Sequence, residues 1–478
     1  MELVFPPGFL WGTGTASYQI EGAVAQDGRG RSVWDTFAAQ QGRVSDGSSG
    51  ETACDHYRRY RQDVALISEL GLPVYRFSTA WPRIMPDGRT LEPRGLAFYD
   101  RLVDALLERG ITPMVTLFHW DLPQALQDRG GWCERDIAAW FADYARVVHD
   151  RLGDRVVHWT TLNEPFCSAF LGYGIGVHAP GIRDERSALV AAHHHLLAHG
   201  TAMQALRADA RPDRQLSIVL NFSPALADGD SPDEREAARR FDALHNRFFL
   251  DPVLGNGYPK DLLADLAPLE ALEPAIHDGD LELIAQPLDW IGVNYYAPTR
   301  VAPLADPAAP SNCPLPGLRG MDVLPACGPL TSMGWEQHPD SLTELLVWLG
   351  RQCGTVPLVV TENGAAFVDI VDADGRVRDP ERTRYLAEHL QAVHAALERG
   401  ADVRGYLAWS LLDNFEWAQG YTQRFGLVHV DYETQRRTVK DSGRFYAKVA
   451  ARNALSTDDA VGTDSAVGTG SAVAPTAQ

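Results

Sequence analysis

Residues 101–120 read RLVDALLERGITPMVTLFHW. An apolar face at helical spacing runs into Leu-Glu-Arg-Gly at 107–110, where Gly110 stops the helix, and the strand-like run that follows ends on His119 and Trp120. Two other stretches share this grammar. Residues 62–81, QDVALISELGLPVYRFSTAW, put Val64, Ile67 and Leu70 in period, stop at Gly71 and carry a strand past Arg76 to Trp81. Residues 389–410, HLQAVHAALERGADVRGYLAWS, put Leu390, Val393 and Leu397 in period, repeat Leu-Glu-Arg-Gly at 397–400 and end near Trp409. Helix, glycine, strand, aromatic is one αβ unit, and its recurrence predicts a parallel sheet with helices outside.

Strand-like runs of this kind occur around 9–13, 74–78, 114–119, 159–163, 216–221, 290–294, 358–362 and 406–410. Eight αβ units predict an α/β fold, a single closed (β/α)8 TIM barrel over residues 1–452. A doubly wound open sheet is the alternative. Its dinucleotide fingerprint is incomplete here, because GTGTAS at 12–17 offers Gly12 and Gly14 but has Ser17 in place of the third glycine.

Bulk composition narrows the partners. The 478 residues are 45% hydrophobic and 22% charged, an ordinary globular balance. Lys and Arg total 43 against 63 Asp and Glu, a formal net charge of −20, so neither nucleic acid nor an anionic membrane is an expected partner. The cysteines at 54, 133, 167, 313, 327 and 353 include no C-x-x-C pair, which predicts a reducing compartment and no zinc. MELVFPPGFLWG at 1–12 has neither a basic nor an apolar signal region, and no apolar stretch reaches the roughly 18 residues of a membrane helix. A soluble, cytoplasmic protein is the expectation. From about Asn453 the chain turns to Ala, Val, Gly, Thr, Ser and Asp, so residues 453–478 read as a disordered low-complexity tail. The Pro- and Gly-rich stretch 302–328 reads as a long loop above the barrel.

The predicted strands end on polar or aromatic residues: Gln19 just past the first, then Arg76, His119, Asn163 with Glu164, Asn221, Asn294 with Tyr296, Glu362 and Trp409. In a barrel these converge on one face as a pocket of carboxylates, amides, an arginine and aromatics. Such a set suits a sugar, whose hydroxyls need amide and carboxylate partners while its apolar ring face packs on tryptophan. Glu164 in TLNEPF and Glu362 in VVTENG supply the pair that glycosidic hydrolysis needs, one protonated acid and one ionised carboxylate. A separation of about 5–5.5 Å makes the reaction retaining and about 6.5–9.5 Å makes it inverting; the sequence leaves that open.

The blocks FLWGTGTASYQIEGA, YRFSTAWPRI, FHWDLPQAL, TLNEP, NYY, TENG and WSLLDNFEWAQGYTQRFGL follow one another along the chain. In content and order they resemble glycoside hydrolase family 1 of the β-glucosidase type. The resemblance implies one barrel, retaining chemistry with no metal or organic cofactor, and small-molecule or oligosaccharide β-glucosides as substrates, with β-fucosides, β-galactosides and transglycosylation as extensions. It assigns Glu164 as acid/base and Glu362 as nucleophile, Asn163 to the sugar 2-hydroxyl, and Arg76 and Tyr296 to the support of Glu362. Gln19, His119, Trp120, Asn294, Glu416, Trp417 and Phe425 correspond to sugar contacts, Trp409 to the stacking platform and Trp335 to an aglycone-facing tryptophan. Glu416 in NFEW favours an unphosphorylated sugar, since a glutamate repels phosphate. Glu164, a glutamate where thioglucosidase-like relatives carry glutamine, argues against that class. His193, His194, His195 and His199 lie on a predicted helix and read as packing residues rather than metal ligands. The resemblance fixes neither the aglycone nor the oligomeric state.

Overall fold

Eight parallel strands close on one another in chain order: β1 (Leu10–Gly14), β2 (Val74–Ser78), β3 (Thr112–Phe118), β4 (His158–Asn163), β5 (Gln215–Phe222), β6 (Ile291–Tyr295), β7 (Leu358–Asn363) and β8 (Val403–Trp409). β8 pairs with β1 through Trp409 and Gly14, which completes the barrel. This computed structural model describes residues 2–208, 213–306 and 309–456. The alternative of an open sheet is excluded. Gly12 and Gly14 serve strand packing instead of phosphate binding: a Cβ on Gly12 would lie 2.5 Å from the Val74 carbonyl oxygen, and one on Gly14 would press on the Trp409 ring at 3.3 Å.

The outer helices follow from the periodicity. Helix Pro93–Leu107 starts with Pro93 in its first turn, where no amide hydrogen is needed, and Glu92 accepts from Arg94 N. Leu96, Tyr99, Val103 and Leu106 then face inward and are buried. Inside the barrel, Val74, Met114, Trp290, Val359 and Leu407 form an apolar plug of their own with Leu10 against it. Two residues further along β3 the lining turns polar, with Thr160 Oγ1 donating to Thr116 Oγ1 at 2.8 Å. The interior therefore changes from an apolar floor to a hydrogen-bonding layer towards the carboxyl ends of the strands, where α/β barrels place their sites.

Two segments differ from their sequence reading. Residues 302–328 are not a plain loop: strands Thr299–Pro303 and Met321–Val323 pair antiparallel, and Ala225–Ala227 completes a three-stranded sheet. The buried side chains of Val301, Leu318 and Met321 hold it down, a signal masked by the surrounding prolines and glycines. The domain boundary also moves past 453. Asn453 caps helix Asp441–Arg452 in the left-handed region, accepts from Trp11 Nε1 at 2.9 Å and donates to the Phe5 carbonyl at 2.7 Å. Ala454–Ser456 then pairs with Glu2–Val4, with Leu455 buried, so this segment adds a strand that ties the two ends of the barrel together. The remainder of the predicted tail, 457–478, lies outside the described residues.

Candidate active site

The site is built where two strands lose their regular register. Pairing shifts between Thr160 and Asn163 on β4, and between Val360 and Glu362 on β7. Such irregularities re-aim side chains at a sheet's rim. On β7, Thr361 donates to Asn294 Oδ1 at 2.7 Å within the barrel and Glu362 reaches the same interior, while Asn363 turns outward to Tyr295, Tyr385 and Tyr406. Asn-Gly at 363–364 is accordingly no solvated turn. A Cβ on Gly364 would sit 1.9 Å from the Trp409 carbonyl oxygen, so only glycine lets β7 leave the barrel against β8. Gly364→Ala is expected to destabilise the fold by about 1–3 kcal/mol or more and to lower activity by displacing Trp409. Chemical denaturation of the variant beside the parent checks the first effect and aryl glycoside turnover the second.

One hydrogen-bonded network holds both carboxyls. Arg76 Nη1 donates to Glu362 Oε1 at 2.6 Å, its Nη2 to Asn163 Oδ1 at 2.7 Å and its Nε to Thr116 Oγ1 at 3.1 Å. Tyr296 OH donates to Glu362 Oε2 at 2.8 Å. Asn294 Nδ2 donates to Glu164 Oε1 at 2.6 Å and to Asn163 Oδ1 at 3.1 Å. With its oxygen thus occupied by donors, Asn163 must present its amide to His119 Nε2, 3.0 Å away, which places the ring proton on His119 Nδ1. Burial and the nearby Arg76 hold His119 well below its ordinary pKa, so the ring is neutral.

The two glutamates differ in company. Both are buried, and burial raises both pKa values. Glu362 has a guanidinium and a phenol on its oxygens, which pull it back towards ionisation. Glu164 has an amide and a thiol, from Cys167 at 3.2 Å; burial first and the Glu362 charge second push it up to about 8. One carboxyl is thereby held as the anion and the other as the acid, the division that opposed environments produce in paired catalytic carboxyls.

A cavity of about 330 Å³ opens over this pair. That is the lower end of small-molecule sites, which run about 300–1,000 Å³. On one side, His119 stacks between Trp409 at 5.8 Å and Trp417 at 5.9 Å, and Trp120 donates to the Asn163 carbonyl at 2.9 Å. Gln19 Nε2 there contacts Asn414 Oδ1 at 2.9 Å, the Phe415 carbonyl at 3.1 Å and Glu416 Oε2 at 3.2 Å. Gln19 Oε1 and His119 Nδ1 have no hydrogen-bond partner among the described residues. On the other side, Tyr296, Trp335 and Phe425 pack mutually with ring centroids 5.2–6.0 Å apart. Trp120, Glu164 and Trp417 each have φ in the left-handed region, at +76°, +48° and +47°. Strain of that kind persists only where the surrounding fold over-determines the residue.

The structure thus brings every sequence-predicted site residue to one pocket or its hydrogen-bonded wall. One argument changes. Burial, with Glu362 and Glu164 nearby, raises Glu416 to about 8, so near neutral pH it carries a proton instead of the charge assumed to repel a phosphate. Among the described residues no lysine or arginine lines the cavity, and the Arg76 charge is taken by Glu362. The sequence reading passed over Cys167, Thr116, His178, His245 and Asn414. Cys167 was accessible through its i+3 spacing from Glu164, but the others acquire a role only through tertiary contacts.

The sequence profile of glycosyl hydrolase family 1 matches residues 1–455. The chain belongs to that family. Thermostable β-glucosidase B of Thermobispora bispora is 51% identical over 95% of this chain and 92% of its own length. A bifunctional β-D-glucosidase/β-D-fucosidase of Bifidobacterium breve is 48% identical over 94% and 99%. Among solved structures, a β-glucosidase from Thermotoga maritima in complex with deoxynojirimycin superposes with a TM-score of 0.90 at 43% identity, covering 95% of this chain and all of that one. As a family 1 enzyme the chain is a glycosidase. The histidines at 193, 194, 195 and 199 are committed to packing: His193 bonds Tyr258 OH and Asp280, His194 the Trp132 carbonyl, His195 the Ala191 carbonyl and His199 the Thr161 hydroxyl.

Proposed function

We propose that the enzyme is a retaining β-glucosidase that removes terminal β-D-glucosyl residues by double displacement, with Glu362 as nucleophile and Glu164 as acid/base. The observation that carries this reading is the unequal company of the two buried carboxyls: Arg76 at 2.6 Å and Tyr296 at 2.8 Å on Glu362, neutral donors alone on Glu164. In the first half, Glu362 attacks the anomeric carbon while Glu164 gives its proton to the departing glycosidic oxygen. The ester that forms has no charge on Glu362, and the cause that helped hold Glu164 protonated is removed. Its pKa falls, and in the second half it takes a proton from the incoming water. Asn163 holds the 2-hydroxyl, anchored by Arg76 and Asn294. Gln19, His119, Trp120, Glu416 and Trp417 contact the non-reducing sugar above the Trp409 platform, and Gln19 Oε1 and His119 Nδ1 are the unpartnered atoms fitted to its hydroxyls. Trp335 faces the aglycone, and Phe425, packed on Trp335 and Tyr296, contacts the sugar beside it.

The bifunctional relative from Bifidobacterium breve supports β-fucosides as further substrates. Near-neutral Glu416 fits this extension, since a partner without full charge tolerates the loss of one hydroxyl better than a buried anion does. All six cysteines are free thiols, which supports a reducing, cytoplasmic setting; no described helix is long and apolar enough to cross a membrane. Parallel assays of 4-nitrophenyl β-D-glucoside, its α-anomer and its 6-phosphate test the reading. Turnover of the unphosphorylated β-glucoside alone is expected; preference for the phosphate or the α-anomer contradicts it.

A further inference from the structure

The partners of Glu164 differ in what they can do. Asn294 Nδ2 donates to Oε1 at 2.6 Å, and because it also donates at 3.1 Å to Asn163 Oδ1, an oxygen that Arg76 Nη2 holds as an acceptor, the amide cannot turn round to accept. That donation marks Oε1 as the oxygen without the proton. Oε2 is left to carry it, and the group facing Oε2 is the Cys167 thiol, 3.2 Å away. A thiol is a weak donor and a weak acceptor in one group, so it can complement Oε2 in either protonation state.

The backbone fixes this contact. Glu164 sits at φ +48°, and Cys167 N donates to the Glu164 carbonyl at 3.0 Å, closing a tight turn that sets the thiol against the carboxyl. Cys167 then opens the helical segment Cys167–Ile175, is 7% exposed and lines the cavity. Burial, followed by Glu164 and Glu362, pushes its pKa far above the usual thiol range, so it stays S–H and does not compete as a nucleophile or base.

We propose that Cys167 is a positioning residue for proton transfer: its thiol keeps Oε2 as the proton-bearing oxygen of Glu164 through both halves of the reaction, accepting in the first and donating in the second. The proposal rests on the assignment of Glu164 as acid/base. Removing the thiol takes a donor from the anion, which raises the Glu164 pKa, and takes the partner that orients Oε2 when it must receive a proton from water.

The test compares pH profiles of kcat/KM for the parent, Cys167→Val and Cys167→Ser on an aryl β-glucoside. The valine variant is expected to move the alkaline limb up by about 0.5 pH unit, the size of one weak hydrogen bond to a carboxylate. With a dinitrophenyl glucoside, whose release makes the second half limiting, its kcat falls several-fold. The serine variant restores both readouts towards the parent, which a purely space-filling role for Cys167 does not produce. Cys167→Ala gives the same shift should the valine variant fail to fold. Glu164→Gln on the activated substrate separates the two claims. If its alkaline limb persists, the assignment of Glu164 fails; if that limb vanishes but the Cys167→Val profile superimposes on the parent, the role of Cys167 is overturned.

Discussion

Glu362→Gly is expected to lower turnover of aryl β-glucosides by roughly four orders of magnitude or more, the scale of losing a covalent nucleophile. Sodium azide then restores turnover, and the product is α-glucosyl azide. Three features carry this expectation. Glu362 lies at the end of β7 beneath the cavity, so its truncation opens room under the sugar. Arg76 and Tyr296, which held its two oxygens at 2.6 and 2.8 Å, remain as partners for a small anion in that space. Attack from there inverts once, and no carboxylate is left for a second inversion. Product analysis by NMR distinguishes this from simple loss of folding, because an unfolded variant gains nothing from azide. Rescue that gives β-glucosyl azide places the nucleophile elsewhere.

Glu164→Ala carries the second large effect. Substrates whose leaving groups need a proton are expected to slow by about 10²–10⁴-fold, the range for general acid catalysis, while dinitrophenyl glucosides retain a fast first step. The same variant changes the pH dependence. Glu164 must be protonated to act first, and burial with the Glu362 charge sets its pKa at about 8, so parent kcat/KM falls as pH rises through about 8. The acid limb belongs to Glu362, which must be ionised: activity falls as pH drops through its pKa, which burial raises and Arg76 and Tyr296 pull part of the way back. In Glu164→Ala the alkaline limb disappears and the acid limb stays. Equal slowing of good and poor leaving groups, or an alkaline limb that survives, contradicts the role given to Glu164.

The architecture was legible because one αβ unit is repeated with its punctuation intact. Gly71, Gly110 and Gly400 each end a helix, and the following runs became β2, β3 and β8. Boundaries slipped where a residue weakened the strand signal. β3 begins at Thr112, before Pro113, and β8 begins at Val403, before the exposed Arg404 and the buried Gly405. The catalytic-face residues were legible for a physical reason as well: a polar side chain that closes a buried apolar strand has nowhere to point except the pocket. Side chains whose meaning depends on another element stayed hidden. Thr116 is an ordinary strand threonine until Arg76 Nε reaches it at 3.1 Å, and Asn414 is one more polar residue until it accepts from Gln19 at 2.9 Å. The strand Ala454–Ser456 was missed because one buried leucine, Leu455, is the only large apolar residue that marks it off from the tail, and pairing with Glu2–Val4 is what makes it a strand. The charge expected of Glu416 failed likewise, since its burial beside two other carboxyls is a property of the folded pocket.

Retention through a covalent intermediate on Glu362 is the central claim, and the anomer released first tests it most directly. Proton NMR of the anomeric signals during the first minutes of aryl β-glucoside hydrolysis, before mutarotation, reads it without any variant. Two inversions at one carbon predict β-glucose first, with the α signal rising later at the rate of spontaneous mutarotation. α-Glucose appearing first means a single displacement by water, and contradicts the nucleophilic role of Glu362.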